Sequence, residues 1–156
     1  MEMKEIRMNR LSIPGSVGEW NVYGKAFLPG HLGIEILSVQ PDEVRSRMTV
    51  QKNLCAPNGF LHAAAIVALA DTSCGYATIN TLPAGANGFT TIELKANFLG
   101  TALDGSVGCI ARPVHRGRAT QVWDAEVRED ASGKIIGLFR CTQMILWPKD
   151  SDPARA

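Results

Sequence analysis

In LGIEILSV (residues 32–39) and EVRSRMTV (residues 43–50), apolar side chains are interleaved with polar ones. Between them stands QPDE, whose Pro41 and Asp42 suit a tight turn, so the stretch reads as two strands joined by a hairpin. Four more strand-like runs fill the chain from Gly88 to Trp147: GFTTIELKANFLG, GSVGCIARPVHRG, RATQVWDAEVRED and GKIIGLFRCTQMILW. Turn signals at TALDG, RGR and DASG separate them, and consecutive strands joined by tight turns imply an antiparallel sheet.

The segment between the two groups has another pattern. After the breakers Pro57, Asn58 and Gly59 comes HAAAIVALADTSCGYATIN, in which alanine and other small residues recur on every side. That is the signature of a helix buried all round. Asn58 is the expected N-cap, and the helix is expected to end near Asn80 and Pro83. Two strands, a helix and four strands make an α+β domain, a curved antiparallel sheet of about six strands wrapped around one long central helix. Residues 1–30 read as an N-terminal capping region with a short helix over 19–29 that Gly24 weakens. Residues 31–148 read as the single domain and 149–156 as a frayed tail.

Composition narrows the function classes. The chain has 156 residues, 46% hydrophobic and 20% charged, enough for one domain with a real core. Sixteen basic against fifteen acidic side chains leave no charge excess to attract nucleic acid or membrane. The opening MEMKEIRMNR lacks an apolar leader, so a cytoplasmic location is expected. Cys55, Cys74, Cys109 and Cys141 lack the close spacings of metal or redox motifs, which points to reduced thiols and no metal.

Asp71 is the one charged residue of the helix. An unpartnered carboxylate among apolar groups is costly and its pKa rises. Either it reaches solvent or a local backbone group, or it has a function. His62 is the candidate partner, but the separation of nine residues is about two and a half turns and ~13 Å of rise, on opposite faces. Two antiparallel copies of the helix across a symmetric dimer would instead bring Asp71 of one chain to the His62 end of the other. The helix start supplies partial positive charge and unpaired N–H groups, suited to a developing oxyanion. A carboxylate opposite an oxyanion site suggests acyl chemistry.

The pattern Gly59-x-x-His62 with Leu69-Ala70-Asp71, followed by TIELKANFL and PVHRGRATQVWDAEV, resembles the hotdog-fold acyl-CoA thioesterases, in the phenylacetate-degradation and 4-hydroxybenzoyl-CoA thioesterase branch. The likeness runs in order from about Leu32 to Leu146. It implies a hotdog homodimer, often paired into a tetramer, that hydrolyses coenzyme A thioesters, with coenzyme A part of the substrate and no separate cofactor. By position, Asp71 matches the family's general base or nucleophile and His62 the histidine that orients the thioester. Ala63 matches a glycine whose N–H points at the thioester oxygen, and Thr91 a hydroxyl that holds the attacking water.

The chain departs from the family pattern at three points. His62-Ala63-Ala64 stands for the usual His-Gly-Gly. Ala56 replaces an amide residue, leaving Asn58 as the nearest substitute. Gly75 stands where a serine or threonine is common, with Thr72 or Ser73 as stand-ins. In HRGRATQ the resemblance assigns the nucleotide end of coenzyme A to Arg118 above all, with Gly117 allowing close approach and His115, Arg116 and Thr120 beside them. Cys74 reads as core, His31 as a turn residue, and Trp20, Trp123 and Trp147 as core or interface anchors, Trp20 also as a cover for an acyl pocket. Two other functions fit the same residues, an enoyl-CoA hydratase-like activity and a non-catalytic acyl-CoA-binding module.

Overall fold

The computed structural model describes residues 12–148. The charged N-terminal ten residues and the expected frayed tail lie outside them. Six strands form one antiparallel sheet in the order β1-β2-β4-β5-β6-β3. They are β1 (Ile34–Gln40), β2 (Glu43–Thr49), β3 (Gly88–Phe98), β4 (Ser106–Arg116), β5 (Thr120–Glu129) and β6 (Ile135–Leu146). The sheet curves around α3 (Ala63–Asn80), as the strand and turn pattern predicts. Trp123, Met48, Leu69, Ile136, Val44 and Val107 are fully buried between helix and sheet. Each such side chain contributes about 1.5–3 kcal/mol over an exposed one. None of the described helices is long and apolar enough to cross a membrane.

A bulge at Ile92 sets what β3 shows to the helix. Before it Phe89 and Thr91 pair with Ile145 and Gln143, and after it Leu94 and Ala96 pair with Cys141 and Phe139. Strand side chains alternate, so without the extra residue one of these two sets would face outward. Gly75 of α3 lets the Phe89 ring in, since a Cβ there would lie 3.2 Å from Phe89 Cζ.

The helix departs from the sequence reading in two ways. Its burial is one-sided over the first half, where Ala63 and Ala64 are exposed and Val67, Ala68, Asp71 and Thr72 are only half-buried. From Ser73 to Ile79 every residue is buried, as expected. The difference arises because only the second half has a cover. There Trp20 stacks at 5.0 Å on Tyr76, and Tyr23 closes on both rings edge-on. Burial drives the Tyr76 hydroxyl up to about 12.

Asn58, the expected N-cap, lies outside the helix altogether. Its Oδ1 accepts the Phe60 N–H at 3.3 Å in its own turn, next to Gly59 at φ +90°. Leu61 N–H then bonds the Ala102 carbonyl and His62 N–H the Leu54 carbonyl, each at 2.9 Å, which holds these residues extended. The helix begins only after them, with His62 as N-cap.

The single helix expected over 19–29 is two. α1 (Val17–Tyr23) stops at Gly24, and α2 (Leu28–His31) restarts with Pro29 in its first turn, a position that needs no N–H. Asn21 of α1 grips the outer edge of β1: its Nδ2 donates to the Ile36 carbonyl at 3.0 Å and its Oδ1 accepts the Ile36 N–H at 2.8 Å. The opposite edge strand, β3, has no such cover among the described residues and exposes Ile92 (54%), Leu94 (45%) and Phe98 (46%).

Candidate active site

Asp71 lies on the open stripe of α3, one turn past Ala68 and two past Ala64, spacings that share a helix face. Its Oδ1 is sealed from solvent and, among the described residues, has no hydrogen-bond partner. Burial raises its carboxyl above the ordinary value. No cation is among the groups that shift it.

The other end of the helix carries donors. The Ala64 N–H donates to His62 Nδ1 at 2.9 Å. The neutral imidazole therefore bears its proton on Nε2, which stays an outward donor. Ala65 and Ile66 N–H both bond the His62 carbonyl, at 2.9 and 3.4 Å. Of the first four helical N–H groups, only that of Ala63 finds no acceptor among the described residues. An unclaimed N–H at the positive end of an 18-residue helix suits an oxyanion. Beside it opens a hollow of about 400 Å³, walled by Leu28, Leu32, Leu54, Ala65 and Ala68 with His62 at its rim. Within one protomer Ala63 and Asp71 stand ~12 Å apart along the axis, so the chain alone does not unite them.

Thr91 is half-buried and donates its hydroxyl to Gln143 Oε1 at 2.7 Å. Of the residues that could stand in near Gly75, Ser73 is buried and committed to Ser46 at 2.7 Å and to the Leu69 carbonyl at 2.8 Å. Thr72 stays half-exposed on the open stripe. Asn58 is exposed and serves its local turn.

The HRGRATQ hairpin joins β4 to β5 at the far end of the strands. Ten residue steps along β4 are ~33 Å, so this turn and the start of α3 occupy opposite ends of the protomer. Arg116 donates to the Pro41 carbonyl at 2.8 Å and to Asp42 Oδ1 at 2.9 Å, which ties it to the β1–β2 turn. The guanidinium carbon of Arg118 sits over Trp147, 4.3 Å from the ring centroid, and the Arg118 carbonyl accepts the indole N–H. The residue remains exposed. The Gly117 N–H bonds the Thr120 carbonyl at 2.8 Å, and a Cβ at Gly117 would lie 2.6 Å from His115 Nε2. The glycine is thus needed for the histidine ring to lie over the turn.

Two features escaped the sequence reading. Gln121 and Gln143 are buried side by side as register partners on β5 and β6. Gln121 accepts from Trp123 Nε1 at 3.0 Å and donates to the Thr81 carbonyl at 3.0 Å. A polar residue at the inward phase of an alternating strand was the available signal. Cys74 is a core thiol as expected, and burial, together with Cys141 beside it, drives its pKa up. Trp20 and Trp123 are buried, whereas Trp147 is half-exposed beneath Arg118.

The thioesterase superfamily model matches residues 58–136, from the turn before α3 to the start of β6. ComA2 of Bacillus subtilis (strain 168), described as an esterase, is 32% identical over 115 residues, covering 74% of this chain and 90% of its own. The 1,4-dihydroxy-2-naphthoyl-CoA hydrolase of Escherichia coli (strain K12) is 30% identical over 126 residues, 81% of this chain and 91% of that enzyme. Among solved structures, thioesterase HI1161 of Haemophilus influenzae superposes with a TM-score of 0.82 at 27% identity, over 89% of this chain and 96% of that one. The sheet wrapped around α3 is the hotdog fold of these proteins.

Proposed function

The chain belongs to the thioesterase superfamily, and from that premise we propose that it hydrolyses an acyl-CoA to the free acid and coenzyme A. The observation that carries this reading is the sealed, unpartnered Oδ1 of Asp71, the one charged group on a helix stripe of small side chains. Structure alone has no use for such a group, whereas acid–base or nucleophilic chemistry does.

The site we propose spans two protomers. Paired antiparallel, their central helices would bring Asp71 of one chain to the Ala63 N–H and His62 Nε2–H of the other. The bare β3 edge and the open stripe of α3 support such a pairing, because an exposed apolar edge strand is a template for another chain. With Asp71 as base, water gives a proton to its carboxylate as the water oxygen bonds to the thioester carbon. The oxyanion takes the Ala63 N–H, and collapse breaks the C–S bond. The departing thiolate then recovers the proton from Asp71. With Asp71 as nucleophile, its carboxylate oxygen bonds to the thioester carbon as the C–S bond breaks, giving a mixed anhydride and the thiolate. Water then splits the anhydride to the two acids, and the thiolate takes one of the protons released. Arg118, His115, Gly117 and Thr120 would meet the nucleotide end of coenzyme A, with Arg116 fixing the hairpin from behind.

For the acyl group we propose a compact aromatic acid, in keeping with the phenylacetate-degradation and 4-hydroxybenzoyl-CoA branch. Its supports are the apolar hollow beside His62 and the similarity to an enzyme whose substrate is a naphthoyl-CoA. A thiol-release screen over benzoyl-, phenylacetyl-, short-chain and medium-chain acyl-CoAs tests the reading. Release is expected, fastest with the aryl substrates. Tight binding without release would make the protein a binding module, and consumption of crotonyl-CoA without release would make it a hydratase.

Leu94→Lys is expected to leave the protomer folded, since the side chain is exposed, yet to yield a monomer by sedimentation and to silence hydrolysis. A lysine-bearing monomer with unchanged turnover would exclude a site shared between chains.

A further inference from the structure

We propose that Gln143 is a positioning residue for the hydrolytic water, acting through Thr91. The inference rests on the thioesterase reading above and adds a residue to it.

The fold puts Thr91 level with Asp71. β3 runs back along α3, because it starts just after the helix ends, and the chain beyond it reaches Ala102, whose carbonyl takes the Leu61 N–H just ahead of the helix. Phe89 meets the helix at Gly75. Two residues on along β3 advance ~6.6 Å, and four residues back along α3 retreat ~6 Å, which pairs the level of Thr91 with that of Asp71. Thr91 shares the helix-facing side of the strand with Phe89, as its pairing with the buried Gln143 requires. The bulge follows immediately, a device that re-aims side chains beside active sites.

Gln143 then decides what the Thr91 hydroxyl can do. Its side chain is 0% exposed and makes two bonds. Nε2 donates to Cys141 Sγ at 3.3 Å, and Oε1 takes the Thr91 proton at 2.7 Å. The second length is typical of O–H···O rather than N–H···O, in agreement with the amide oxygen facing Thr91. A threonine hydroxyl has one proton, and here it is committed. Towards the site Thr91 acts only as an acceptor. A water lodged against it must give Thr91 one hydrogen, and the other is free for the Asp71 carboxylate. The water lone pair is then left for the thioester carbon. Were Gln143 absent, the hydroxyl proton would be free to point at the water, which would then no longer have to donate to Thr91 and would lose its orientation towards Asp71.

The test uses the full-length protein and whichever acyl-CoA of the screen it cleaves fastest. Gln143→Met removes the acceptor while keeping the volume, and is expected to lower kcat by about tenfold or more with KM unchanged. Thr91→Val should do the same, and the double variant should be no slower than either single one, because both act on one hydroxyl. Gln143→Glu keeps an acceptor oxygen and is expected to recover most of the lost rate. Should Q143M fail to fold, Gln143→Asn withdraws the amide from reach and replaces it in the comparison. Losses that multiply in the double variant, a Q143E as slow as Q143M, or a KM that moves with kcat would overturn the assignment. If the unsubstituted protein releases no thiol from any substrate, the thioesterase reading fails and this inference falls with it.

Discussion

Asp71→Asn is expected to abolish thiol release, by about 10³-fold, while the protein keeps its fold and assembly. The substitution preserves shape and removes only the capacity to take a proton or attack a carbonyl. It should not destabilise, because the buried Oδ1 has no partner to lose. The pH response gives a second measurement. Burial holds the Asp71 carboxyl above the ordinary carboxylate range. The folded protein therefore keeps this proton at pH values where the unfolded chain has released it. Stabilisation from the neutral form is fully present below the ordinary range and is lost as pH rises through the raised folded value. Melting curves across that window should show D71N gaining on the natural protein as pH rises. The acid limb of the rate should likewise lie above where an exposed aspartate would put it. Turnover in D71N equal to that of the natural protein would remove Asp71 from the chemistry.

Ala63→Pro should produce a loss of nearly the same size by a different route. Ala63 is the first residue of α3, where proline is well tolerated, and His62 already has the extended conformation (φ −67°, ψ 138°) that a following proline demands. The change deletes one N–H and little else. If that N–H holds the oxyanion, the rate should fall by about 10²- to 10³-fold with the melting temperature scarcely altered. Pairing the two variants tests the geometry of the whole site. In a mixed dimer of D71N and A63P chains, one site holds both lesions and the other holds neither. Random mixing should return about a quarter of the natural activity from two inactive proteins, because half the dimers are mixed and one of their two sites is intact. No recovery on mixing would mean that the carboxylate and the donor serve one site within a single chain, or no site at all.

The fold was legible from local chemistry wherever a decision is local. QPDE, RGR and DASG place the hairpins, and the interleaved runs place the strands, because turn residues and strand phase act over a few positions. The start of α3 was misread at Asn58 because the decision there is made from far along the chain. The Ala102 and Leu54 carbonyls hold residues 61 and 62 extended, and nothing in APNGFLH announces them. The one-sided burial of α3 was hidden for a similar reason. Alanines on every side fit a helix wrapped within one chain as well as one that leaves a face for another. Asp71 stood out because a single charge among small residues is visible without a structure. The Ala63 N–H was named only through the resemblance, since its being the unclaimed donor depends on the His62 ring capping Ala64 instead. The resemblance put Arg118 ahead of Arg116 in HRGR but gave no role to separate them, and Asp42 and Trp147, distant in sequence, give Arg116 an anchoring job and leave Arg118 available.

The Asn21 clamp on Ile36 bears on how far association can go. A sheet with two bare margins can recruit copies of itself end on end, each addition renewing the surface that the next one needs, which is the route to fibres. Here one margin is spent on an amide side chain from the same molecule. Were copies to pair through β3, growth by strand addition would therefore stop after a single event. Loss of that amide would be felt in solution behaviour at high concentration before it was felt in turnover.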